Sequence, residues 1–162
     1  MKQDRFLIGI LIGIAILIVV ALGLFFMRQD TQTYRADDSP EGVTYNYALA
    51  VINKDYEKAY GYLADLDHKP TYEQFREAFF SSMVNPRDVG LDVGEAEVDG
   101  NDALVELTLI HSPSDPFSGG YSNTDRAQLV RQKGDWKLKQ MPTYNFWDYN
   151  WYREPEKQQI VP

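Results

Sequence analysis

The sequence predicts an α+β domain behind one long apolar helix, on three observations. Residues 6–27, FLIGILIGIAILIVVALGLFFM, hold no charge and no strongly polar group. From residue 39 the apolar residues recur at helical spacing, and from Val89 at a spacing near two. Helices followed by consecutive strands make an α+β domain, with the helices packed on one face of a curved antiparallel sheet.

As a helix, 6–27 rises about 33 Å, enough for a hydrocarbon core of about 30 Å. Leu, Ile and Val cover every face of it, whereas a helix exposed to water keeps a polar face. The expectation is a transmembrane helix at 6–27, with the lipid bilayer as its partner. The competing reading is a cleaved signal peptide: Lys2 and Arg5 precede the run, and Ala21-Leu22-Gly23 is a passable cleavage site. The run continues past that site and exceeds a usual signal core. With no cysteine, a lipidated-Cys anchor is excluded. Lys2 and Arg5 on one side nearly balance Arg28 and Arg35 on the other. The five-residue amino end is too short for a domain. The layout therefore predicts a single-pass cell-membrane protein with residues 1–5 cytoplasmic and the carboxy-terminal domain extracytoplasmic. Residues 28–38 read as a juxtamembrane spacer, 39–153 as the domain and 154–162 as a frayed tail.

Composition narrows the function. All but two of the 16 Lys+Arg and all but one of the 24 Asp+Glu follow the apolar run, so the domain is acidic. An acidic surface repels phosphate backbones, and no nucleic-acid partner is expected. The missing cysteine removes disulfides, thiolate metal sites and Cys nucleophiles. The domain must then be held by its core, for which all 11 Tyr and all three Trp are available.

Each element has a local signal. Ser39-Pro40-Glu41 is an N-cap, a proline at the first helical position and an acid in the first turn. Val43, Tyr47, Ala50 and Val51 then share one face. After Asn53-Lys54-Asp55, a second helix places Tyr56, Ala59, Tyr60 and Leu63 together. Thr71-x-x-Gln74 is a capping box for a third helix with Phe75, Ala78 and Phe79 inward. Leu91 and Val93 share one face of the first strand, Ala96 and Val98 the other, with a bulge at Gly94. Asp99-Gly100-Asn101-Asp102 is a hairpin turn, and Ala103, Val105, Leu107 and Leu109 alternate after it. Residues 112–125 read as a long loop. A last hairpin turns at Lys133-Gly134, with Trp136 and Leu138 on one face. The aromatic segment Tyr144, Phe146, Trp147, Tyr149, Trp151, Tyr152 follows.

The run SPEGVTYNYALAVINKDYEKAYGYLAD resembles the opening of nuclear-transport-factor-2-like (cystatin-like cone) domains, and LVRQKGDWKLKQM resembles their closing strands. Asp55-Tyr56 and Ala59-Tyr60 match a pairing on the second helix of those families. The resemblance covers 39–141, rests on fold signatures, and looks most similar to small, uncharacterised bacterial members, often exported. Bitopic type IV secretion assembly factors are similar in architecture alone. The resemblance implies a cone with a pocket; some members are enzymes and others are not.

Candidate pocket or rim residues are Tyr47, Tyr60, Phe79, His111, Trp136 and Trp147. Isomerase- and dehydratase-type relatives pair a pocket Asp or His with a Tyr donor. Asp88, Asp92 and Glu106 are the acids near strands, but Asp92 and Glu106 alternate with apolar neighbours and should point outward. No motif brings acid and donor together, so no catalytic residue is assigned. Asp65-x-Asp67-His68 is a polar helix-end turn, and Asp99–Asp102 is too short for a calcium loop. No metal site and no cofactor motif is found. The expectation is a non-catalytic module binding a small apolar ligand or a partner, either a second copy or an envelope protein. The alternative is an isomerase- or dehydratase-type enzyme with its site in the cone. Phe146, Trp147 and Trp151 either form a docking surface or cover the cone.

Overall fold

The computed structural model describes residues 5–27, 32–86, 89–111, 119–142 and 145–154. Residues 1–33 and 34–162 form two separate compact units.

The first unit holds helix α1, Arg5–Met27. Among the described residues no helix is long and apolar enough to cross a membrane. This corrects the expected transmembrane helix at 6–27. The single-pass cell-membrane placement, with its cytoplasmic and extracytoplasmic sides, falls with it. Residues 28–31 of the expected spacer lie outside the described residues.

The second unit is α+β. Helix α2 (Pro40–Ile52) begins where Ser39 Oγ accepts from the Gly42 amide at 3.0 Å, with Pro40 in the first turn. Val43, Tyr47, Ala50 and Val51 are buried as their spacing requires, and Ala48 and Leu49 join them. The helix is enclosed on most sides, which makes it the centre of the domain. Helix α3 (Tyr56–Gly61) is capped by Asp55. Helix α4 (Tyr72–Phe80) carries the full Thr71/Gln74 capping box.

Strands β1 (Val89–Asp99), β2 (Asp102–His111), β3 (Tyr121–Gln132) and β4 (Asp135–Gln140) form an antiparallel sheet in the order β1-β2-β3-β4. Gly100 takes φ 59° in the first turn; Lys133 and Gly134 take φ 54° and 99° in the last, the left-handed pair a two-residue hairpin needs. The register slips between Val93 and Ala96. That bulge has a consequence opposite to the expected change of face. The extra residue returns Ala96 to the side of Leu91 and Val93, and all three pack on the core. The loop expected at 112–125 ends earlier, because β3 starts at Tyr121 and pairs with β2 from His111↔Tyr121 to Asp102↔Val130. Residues 112–118 lie outside the described residues.

The core fills the space between α2 and the sheet. Ala103, Val105, Leu107 and Leu109 of β2 point inward, joined by Ala127 and Leu129 of β3 and Trp136 and Leu138 of β4. Beyond β4 the chain at Leu63 adds a parallel bridge to Leu138, with Ala64 N–H donating to the Leu138 carbonyl and Leu138 N–H to the Tyr62 carbonyl, both at 2.8 Å. The aromatic segment then closes the core. Phe146, Trp147 and Trp151 are buried, and the Trp151 ring lies 4.9 Å from that of Phe75 on α4.

Candidate functional site

The space beneath the sheet is occupied by side chains. Tyr47 is fully buried, its ring 6.1 Å from Trp147, and its hydroxyl donates to the Phe146 carbonyl at 2.7 Å. Burial pushes the Tyr47 phenol well above its ordinary pKa, with Tyr152 adding to the effect. The buried polar side chains among the described residues are Thr44 and Asn46. Thr44 donates to the Pro40 carbonyl. Asn46 clasps the backbone of Arg35, accepting from its N–H at 2.7 Å and donating to its carbonyl at 3.0 Å. Both side chains are satisfied by structure, and no described Asp, Glu or His is buried beside a Tyr. Asp92 and Glu106 are exposed, as their alternation requires; Asp88 lies outside the described residues.

An open cleft of about 840 Å³ lies on the helical side instead, where α2 ends, α3 begins and α4 runs past. Its apolar wall is aromatic. Tyr56 stacks on Phe79 with ring centres 4.9 Å apart and meets Phe80 edge-on at 5.9 Å. Phe80 is 69% exposed and Ile52 44%, so large apolar surface faces the opening rather than the core. The Arg76 guanidinium stands over the Phe80 ring at 5.5 Å. Lys54 and Ser82, each just past the end of a helix, line the cleft in the left-handed conformation at φ 61°. Helices commonly end in this conformation, and His68, Lys133 and Tyr152 adopt it elsewhere in the domain.

The six candidate residues are dispersed. Phe79 lines the cleft. Tyr60 lies behind it, half-buried, its hydroxyl donating to the Pro70 carbonyl at 2.9 Å and its ring edge-on to Tyr72. Burial raises the Tyr60 pKa, helped by Asp65 and Glu73. Tyr47 and Trp147 belong to the core. Trp136 is buried on β4 under Arg131. His111 ends β2, stacked on Tyr121 at 4.3 Å, with Nε2 3.0 Å from Asn123 Oδ1. Among the described residues no group of His, Asp and Glu gathers to hold a metal.

Ile52, Tyr56, Tyr72, Arg76 and Phe80 line the cleft with Phe79, and Val84, Asn85 and Pro86 form a further part of its wall. The sequence held a signal for three of them. Tyr72, Arg76 and Phe80 repeat at i, i+4 and i+8, a stripe on α4 beside the inward face of Phe75, Ala78 and Phe79.

No protein-family model and no curated protein matches the chain. Among solved structures it is similar to a SEC-C motif containing protein from Rhodopseudomonas palustris, at 17% identity over 65% of this chain and 79% of that one, TM-score 0.45. It is similar to a cystatin-like fold protein from Nostoc punctiforme, at 17% identity over 59% of this chain and 80% of that one, TM-score 0.44. A cystatin fold protein from Novosphingobium aromaticivorans shares 11% identity over 63% of this chain and 98% of its own, TM-score 0.40. Proteins of cystatin-like fold are thus among its structural neighbours.

Proposed function

We propose that the second unit is a nuclear-transport-factor-2-like binding module, non-catalytic, that takes a small apolar ligand in the cleft between α2, α3 and α4. The observation that carries this reading is the aromatic wall in which the exposed Phe80 continues from the half-buried, mutually stacked Tyr56 and Phe79, beside an interior occupied by side chains. An apolar recess with a few polar groups at its edge is the usual form of a small-molecule site. Phe146, Trp147 and Trp151, the expected alternative docking surface, are buried.

The test is an amide-shift titration of the full chain with 3,3-dimethyl-1-butanol, a neutral apolar probe. Saturable shifts at Ile52, Tyr56 and Phe80, weakened at least about threefold in Phe80→Ala, are expected for one lost ring contact. Shifts of the same affinity in Phe80→Ala and Tyr56→Ala, or none at these amides, would contradict the reading.

A further inference from the structure

Resting on that binding-module reading, we infer that the ligand carries a positive charge: an organic ammonium group with apolar substituents. Features of the cleft and the charge of the chain favour a cation. Tyr56, Phe79 and Phe80 line the cleft; Tyr56 and Phe79 stack on each other, and the exposed Phe80 offers the negative face of its ring quadrupole, which attracts cations. Arg76 already uses the Phe80 face in this way, with its guanidinium carbon 5.5 Å from the ring centre.

Helices α2 and α4 both end at the cleft wall, at Ile52 and Phe80, so two negative dipole ends lie there. The single helix start, that of the six-residue α3, brings Asp55 and Glu57 with it, which offset its positive end. The chain as a whole carries −8, a field that concentrates cations near the surface.

Lys54 and Arg76 oppose this. Both are long side chains at the rim, and Arg76 competes with a ligand for the ring it covers. An apolar anion would face the ring quadrupole and two helix ends, with Lys54 and Arg76 in its favour among the described lining residues. Asp55 and Glu57 are matched in number by Lys54 and Arg76, and the ring quadrupole with the two helix ends then favours the ammonium.

The experiment compares three probes of nearly equal shape on the full chain by amide-shift titration: choline, its neutral carbon isostere 3,3-dimethyl-1-butanol, and 3,3-dimethylbutanoate. Choline is expected to bind at the Ile52, Tyr56 and Phe80 amides about threefold to fivefold more tightly than the neutral isostere. The carboxylate is expected to bind most weakly. Glu57→Gln should shrink the preference for choline, and Arg76→Gln should enlarge it by uncovering Phe80. That opposite pair of effects is not produced by a merely structural role. Equal or tighter binding of the neutral or anionic probe at the cleft would overturn the charge inference and leave the binding module standing. Absence of cleft shifts with all three probes would overturn both.

Discussion

The Tyr47 hydroxyl donates to the Phe146 carbonyl at 2.7 Å across 99 residues of sequence. The bond ties the central helix to the aromatic segment inside a region closed to water, where an unmatched carbonyl is costly. Tyr47→Phe keeps the ring and removes the donor, and is expected to destabilise the domain by about 1–3 kcal/mol. Trp147→Ala, which empties a buried site, should cost about 3–5 kcal/mol. Phe80→Ala, at an exposed ring, should change stability by less than about 0.5 kcal/mol. Urea midpoints of the three variants check the order; a Phe80 effect as large as that of Trp147 would put the cleft in the core.

Alkaline titration tests the same buried phenols. Burial raises the pKa of Tyr47 and Tyr152, and burial with the nearby Asp65 and Glu73 raises that of Tyr60. Their unfolded value is about 10. Below that pH both states hold the proton and the stabilisation is fully present. Above it the unfolded chain loses protons that the folded one keeps, so stability falls as pH rises toward the folded values. Removing one such group flattens the slope by up to about 1.4 kcal/mol per pH unit. Urea unfolding of wild type and Tyr47→Phe between pH 9 and about 11 reads this slope; parallel profiles would contradict it.

Gly42 sits in the first turn of α2 where the preceding segment crosses it. A Cβ there would lie 2.6 Å from the Asp37 carbonyl oxygen and would also strike the Asp37 side chain. Ala is ordinarily favoured over Gly in a helix by about 1 kcal/mol. Here the sign is expected to reverse, with Gly42→Ala destabilising by about 1–2 kcal/mol, the cost of forced overpacking. Thermal unfolding settles it, since a stabilised variant would mean that residues 34–38 give way freely.

Lys54 holds φ 61° immediately after the cap of α2, the position where glycine is preferred. Lys54→Gly should stabilise the domain by about 0.5–1 kcal/mol through relief of that conformation. A fall in melting temperature would show that the lysine side chain contributes more than its backbone costs.

Much of this fold was legible because its signals are local. Ser39-Pro40, the Thr71/Gln74 box, the Asp99–Asp102 turn and Lys133-Gly134 each act within four residues, and the alternation of Ala103 to Leu109 names its own buried face. The first half of β3 was not legible. YSNTDR shows no apolar alternation, and these residues are extended by pairing with β2 while facing solvent. The Gly94 bulge was visible, but its effect on Ala96 depends on counting the extra residue against β2. The fate of the aromatic segment was a choice between surface and cover that Tyr47 decides from 99 positions away. The transmembrane assignment was drawn from apolar length and the absence of a polar face, and among the described residues no helix is long and apolar enough to support it. In the cleft, the stripe Tyr72-Arg76-Phe80 was readable on α4, but its meeting with Ile52 and Tyr56 depends on how three helices assemble.

The most direct test of the account is a crystal structure under xenon pressure, because xenon enters unfilled apolar space. Xenon is expected against Tyr56, Phe79 and Phe80, with none between α2 and the inner faces of β2 and β3. Xenon lodged among Val105, Leu107 and Trp147, with the Phe80 cleft empty, would contradict the account: the interior would then be the pocket, and the cleft an ordinary surface recess.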